Sequence, residues 1–161
     1  MPEPFSYPPH QEDLMKNPTV LLVVLAGVFL MTPTTAQAQQ TEEEAIRAAV
    51  GHYLQGHATG DGTHHEQVFH PESKLFWVRD DALHQRTSEA YIAGAPGHPA
   101  DDEDQRQRRI AMIDVTGNTA VVKVELDYPS ALITDYFSML KIEGEWKIIN
   151  KIFHVEPKEG S

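Results

Sequence analysis

Asp135 and His154 are the residues whose types and placement bear most directly on chemistry. With Tyr128-Pro129-Ser130-Ala131 and Glu143-Gly144 read as two-residue hairpin turns, segments 132–142 and 145–155 pair as strands. Asp135 then opposes Val124 on one side and Ile152 on the other, Phe137 opposes Asn150, and Ile133 opposes His154. Residues opposite one another share a face. That register gathers Asp135, Asn150 and His154 with Arg109, Tyr128 and Phe137. A carboxylate among apolar neighbours is disfavoured in its charged form, so its pKa climbs toward neutrality and it can take a proton beside a carbonyl. His154 or a tyrosine could polarise the substrate oxygen. The same residues could equally orient a ligand without reaction, or Asp135 could be a structural partner of Arg109; the sequence leaves all three open.

Positioning these side chains requires a meander of strands and a helical cover. Thr41-Glu42-Glu43-Glu44 has the form of a capping box that starts a helix. Ile46, Ala49, Val50, Tyr53, Leu54 and His57 follow at spacings of three and four, an apolar face that ends at Gly60-Asp61-Gly62. A second helical turn is expected before His70-Pro71. A strand at 74–79, a turn at Asp80-Asp81, a returning strand at 82–86 and a short helix over 87–92 come next. A Gly-, Pro- and Asp-rich loop runs to Gln105. Strands at 107–115 and 120–128, joined through Gly117-Asn118, precede the pair that carries Asp135. Tyr53, His57 and Trp77 could line a pocket with aromatic surface, and Arg79, alternating with Trp77, could meet an anionic group at its mouth. The opposite face of the sheet is also apolar. Tyr136, Leu140, Ile149 and Phe153 need cover there, most simply from a second copy, so a homodimer is expected.

Nine histidines raise the question of a metal. His52 and His57 are five apart and diverge on a helix, and no pair has the spacing of a helical zinc site. No metal and no cofactor are expected. The acidic stretch Asp101-Asp102-Glu103-Asp104 lacks the calcium-loop pattern and is read as solvated beside Arg106, Arg108 and Arg109.

Several blocks resemble a known family: Phe69-His70-Pro71-Glu72-Ser73-Lys74-Leu75, the stretch from Ile113 to Glu125 around Thr116-Gly117-Asn118-Thr119, and above all Thr134 to Lys141 running into Gly144 to His154. They are similar to the putative lumazine-binding branch of the nuclear-transport-factor-2-like (SnoaL-like) superfamily, from Glu42 to about His154. That resemblance implies an α+β cone: a curved antiparallel sheet wrapped by about three N-terminal helices around a pocket open at one end, usually in a dimer. Residue sets of the catalytic relatives, ketosteroid isomerase and scytalone dehydratase among them, do not match position by position, so no catalytic role is carried over.

The chain's beginning reads as an export signal. Val20 to Met31 is an apolar run too short to span a bilayer, Lys16 precedes it, and Ala36-Gln37-Ala38 has the A-x-A form of a cleavage site. Cleavage after Ala38 is expected, with Met15 as the natural start because Met1 to Leu14 is acidic and proline-rich. A domain at 41–156 remains, with no membrane segment. The net charge of −11 repels phosphate backbones and argues against nucleic acid. The expectation is a periplasmic or secreted protein that binds a small aromatic or hydrophobic ligand. The alternatives are an isomerase, lyase or cyclase with Asp135 as general base, and a structural dimer without a ligand.

Overall fold

The computed structural model describes residues 35–159. The expected signal segment, its start at Met15 included, lies almost wholly outside them. Helix α1 (Thr35–Thr59) and helix α2 (Gly62–Val68) come first, then strands β1 (Phe69–Arg79) and β2 (Ala82–Thr87), and helix α3 (Ser88–Ile92). A single 3-10 turn at Glu103–Gln105 leads into β3 (Gln107–Thr116), β4 (Thr119–Tyr128), β5 (Ala131–Ile142) and β6 (Glu145–Pro157). The strands form one curved mixed sheet in the order β2-β1-β6-β5-β4-β3, in which only the β1–β6 pair is parallel.

The turns explain the hairpins. Asp80 and Asp81 both have positive φ, as do Glu143 and Gly144, the backbone of a two-residue turn whose twist matches its strands. Gly117 supplies the positive φ between Thr116 and Thr119. At the end of α1, Gly60 takes φ +70°, and a side chain there would strike the carbonyl of His98; only glycine closes this helix against that loop.

The helix begins earlier than the capping box implies. Thr41 lies inside α1 and its hydroxyl donates to the Gln37 carbonyl at 2.9 Å, so it bonds back along the helix instead of capping it. Glu42 anchors this end: its carboxylate accepts from Lys141 Nζ at 2.6 and 2.9 Å and from Trp146 Nε1 at 3.0 Å. Ile46, Val50 and Tyr53 are thereby laid across the inner sheet face, against Val122, Val124, Leu126, Phe137, Met139 and Ile148 in one core.

Two β-bulges correct the expected register. Between β5 and β6 the pairing jumps from Met139↔Ile148 to Ser138↔Asn150, so Ile149 is an extra residue. Beyond it Phe137 opposes Lys151, Asp135 opposes Phe153 and Ile133 opposes Val155. Between β3 and β4, Ala111 is extra, and Arg108 and Ile110 oppose Leu126 and Val124. A bulge adds one residue to one strand and exchanges its two faces from that point on. Lys151 and Arg108 therefore turn inward, while Asn150, His154 and Arg109 leave the inner face. Phe153, assigned to the outer face, turns inward too, and its outward neighbour is Ile152.

Candidate active site

At the centre of the inner face three polar side chains meet in the core. Tyr53, from the middle of α1, donates its hydroxyl to Asp135 Oδ2 at 2.6 Å and accepts from Lys151 Nζ at 2.5 Å. Lys151 Nζ also pairs with Asp135 Oδ1 at 2.8 Å. Asp135 and Tyr53 are fully buried and Lys151 is 4% exposed. Burial lowers the Lys151 pKa, against the opposing pull of Asp135; burial and the adjacent carboxylate hold the Tyr53 phenol well above its usual value. The ammonium also lies 4.9, 5.5 and 5.0 Å from the ring centres of Tyr53, Tyr91 and Phe153, a cation enclosed by aromatic rings.

A second chain of hydrogen bonds flanks this cluster. Arg108 is clamped by Glu103 at 2.5 and 2.7 Å and donates to the Tyr128 hydroxyl at 3.2 Å and to the His57 carbonyl at 3.2 Å. The Tyr128 hydroxyl is 3.2 Å from His57 Nδ1, and His57 Nε2 is 2.8 Å from the Tyr91 hydroxyl. With Arg108 donating to the Tyr128 oxygen, the Tyr128 hydrogen is free to point at Nδ1, and Nε2 then donates to Tyr91. Burial first, and Lys151 next, hold His57 well below its ordinary pKa, so the imidazole is neutral and can relay a proton.

His65 completes the interior. Its Nε2 stands 3.3 Å from the Tyr53 carbonyl, which can only accept, and burial lowers its pKa to about 4. The ring fits because position 56 is glycine: a Cβ there would lie 2.5 Å from His65 Nε2.

Exposure rises along the inward rows toward one end of the sheet. On β6 the inward row runs from buried Lys151 through half-buried Phe153 to exposed Val155; on β1 it runs from buried Leu75 through half-buried Trp77 to exposed Arg79. The Phe153 and Trp77 rings are 5.4 Å apart, and Trp77 stacks on His84 at 5.5 Å. Arg86 lies over the Tyr91 ring at 4.7 Å. This end of the inner face thus carries a Trp77–Phe153 ring pair, with Arg79 and Arg86 on the adjoining strands.

Of the residues expected from sequence, the fold brings together Tyr53, His57, Tyr128, Asp135 and Phe137, with Trp77 and Arg79 farther out on the same face. Phe137 packs edge-on to Tyr53 with ring centres 4.8 Å apart. Arg109 is excluded; it is exposed and pairs with Glu125. Asn150 and His154 are excluded as well, each carried to the other face by the bulge at Ile149. Lys151, Arg108, Tyr91 and His65 were not expected in the site. Lys151 alternates with Asn150 and Arg108 with Arg109, so a one-residue bulge in each strand would have found both. Among the described residues no group of three or more His, Asp or Glu side chains is placed to hold a metal ion.

Residues 41–154 match the family model described as putative lumazine-binding. The chain is a member of the putative lumazine-binding family. The fold agrees with solved structures. A nuclear-transport-factor-2-like protein of unknown function from Shewanella baltica OS155 is 26% identical, with a TM-score of 0.68 over 79% of this chain and 100% of that one. Another from Methylobacillus flagellatus KT is 27% identical, with a TM-score of 0.62 over 72% of this chain and 93% of that one. Among curated proteins, the aldolase FrzH from Cladobotryum sp. is 28% identical over 126 residues, 73% of this chain and 94% of FrzH. Membership in the putative lumazine-binding family and this cone suggest that the protein binds a small molecule.

Proposed function

We propose that the protein is an enzyme acting on a small carbonyl compound, making or breaking a carbon–carbon bond beside the carbonyl by acid–base chemistry of its own side chains. One observation carries this reading: Tyr53 Oη bridges Asp135 Oδ2 and Lys151 Nζ at 2.6 and 2.5 Å inside the core. Apolar residues of similar volume often stabilise a core as well as a buried ion pair does. Substrate entering past Trp77 and Phe153 meets a cation that stabilises negative charge developing on its oxygen, and a carboxylate that removes or returns a proton. His57 and Tyr91 offer a second proton path on the far side. The similarity to an aldolase over nearly all of that relative's length supports the reaction class.

Exchange of ketone α-protons tests it. In deuterated buffer, hydroxyacetone, cyclohexanone and phenylacetone are followed by proton NMR. At least one is expected to exchange faster than in buffer, and Tyr53→Phe, which deletes only the hydroxyl, is expected to slow it at least tenfold. Exchange at the buffer rate with all three would overturn the reading.

The outer sheet face is proposed to join two copies. It exposes Met112, Val121, Tyr136, Leu140 and Ile152, the last at 50%, an apolar surface of the kind monomers rarely leave open. The apolar run at 20–31 and the A-x-A site support a place outside the cytoplasm.

A further inference from the structure

A lysine that merely neutralised Asp135 could do so from the exposed end of a strand, keeping its ammonium in water as long basic side chains usually do. Lys151 does the opposite. Its ammonium is drawn into the core, where it is held on two sides by Asp135 and Tyr53 and otherwise faces the rings of Tyr91 and Phe153. The amine lies one residue pair from half-buried Phe153 and Trp77, the next inward residues on β6 and β1. A second cation, Arg86, approaches from the same side and lowers the Lys151 pKa further. Desolvation and a neighbouring cation are the conditions under which a lysine becomes a nucleophile at neutral pH.

We infer that Lys151 is the covalent attachment point for the substrate, capturing a ketone or aldehyde as an imine. The inference rests on the carbonyl chemistry proposed above and adds to it the atom that forms the bond. Every step is supplied by groups already in contact. One ammonium proton passes to Asp135 Oδ1, 2.8 Å away. The nitrogen lone pair then forms the C–N bond, the carbonyl π pair moves to oxygen, and that oxygen takes a second proton from nitrogen. Asp135 returns the first proton to the new hydroxyl, with Tyr53 within reach to relay it. The hydroxyl leaves as water while the nitrogen lone pair closes the C=N bond. The charge that began on the ammonium ends on the iminium, and Asp135 is again a carboxylate. In the bond-breaking direction Asp135 takes the proton of a β-hydroxyl, the new carbonyl forms there, and the C–C bonding pair flows into the iminium to give an enamine. No oxidant or reductant is consumed.

The probe is 2,4-pentanedione, which converts a nucleophilic lysine amine to a conjugated enaminone that absorbs in the near ultraviolet. The wild-type protein is incubated with it at neutral pH, and intact mass and peptide mapping follow. The expected result is one adduct per chain, heavier by one pentanedione less one water, on Lys151. It should form at least tenfold more slowly in Asp135→Asn, which removes the proton acceptor but keeps the hydrogen bond to Tyr53. Peptide mapping of the wild type needs no variant to fold. An unmodified Lys151, with or without adducts on surface lysines, would overturn the inference. If ketone α-protons still exchanged in that case, the acid–base reading would stand without the covalent step. An adduct on Lys151 without exchange would uphold carbonyl capture and remove the proposed reaction.

Discussion

Lys151 Nζ and Asp135 Oδ1 lie 2.8 Å apart at the centre of the cone, and both side chains are almost wholly removed from water. Neither charge is tolerable there without the other.

Removing one partner should therefore cost far more than removing both charges. Lys151→Met leaves Asp135 buried without its cation and is expected to lower unfolding free energy by about 3–5 kcal/mol. The double variant Lys151→Met/Asp135→Asn should recover a large part of that loss, because a neutral amide can still bond Tyr53. Urea unfolding of Lys151→Met, Asp135→Asn and the double variant measures the difference; additive losses would contradict the coupling.

Stability should fall as pH drops from about 6.5 toward 4. Unfolded histidine takes up a proton near 6.5, whereas folded His65 does so only near 4. Between those values the unfolded state binds more protons, so acid favours unfolding; the full effect for His65 is on the order of 3 kcal/mol. His57 adds to it with the same sign. Thermal unfolding at pH 7.5 and 5 should show the drop, and His65→Gln should flatten it while lowering the pH 7.5 value.

Gly56→Ala should destabilise the protein by up to about 2 kcal/mol. Alanine favours the helix by roughly 1 kcal/mol, but its Cβ would overlap the His65 ring, which is wedged among Tyr53, His57, Phe69 and Tyr91. Overpacking of this kind costs about 1–3 kcal/mol. A rise in melting temperature would show that His65 has room to move.

Adjacent arginines should behave in opposite ways. Arg108→Gln breaks the Glu103 clamp and the bond to Tyr128, and should cost about 2–3 kcal/mol. Arg109→Gln removes an exposed partner of Glu125 and should leave the melting temperature where it is. Equal effects would contradict the bulge at Ala111.

Ile152→Asp should turn a dimer into a monomer without lowering the helix and strand content, since Ile152 is half exposed on the outer face. Sedimentation velocity reports the change, and a wild-type protein that sediments as a monomer would end the dimer proposal.

The pattern of elements was readable in the sequence because local signals set it. Paired turn residues at Asp80-Asp81 and Glu143-Gly144 fixed the hairpins, and the spacing from Ile46 to His57 fixed the buried side of α1. Tyr53, His57, Tyr128 and Asp135 were within reach of that reading, since no bulge separates them from the turns that set their register. Asn150, His154 and Arg109 were misplaced for the complementary reason. Ile149 and Ala111 are ordinary β-sheet residues, neither of them glycine, and nothing local distinguishes a bulged residue from its neighbours. Counting outward from a turn then carries the error to the strand's end. The early start of α1 was hidden in another way: Thr41 satisfies the rule for a cap equally well as an interior residue bonded to Gln37.

The bulge at Ile149 also makes the site's chemistry hang on chain length instead of composition. Deleting that one residue, with no other change, would return Asn150, Ile152 and His154 to the interior and expel Lys151. An interior centred on an amine would become one built on an amide and an imidazole. Two relatives could thus share every other residue of this strand and still present different reagents to a substrate, distinguished by a single codon.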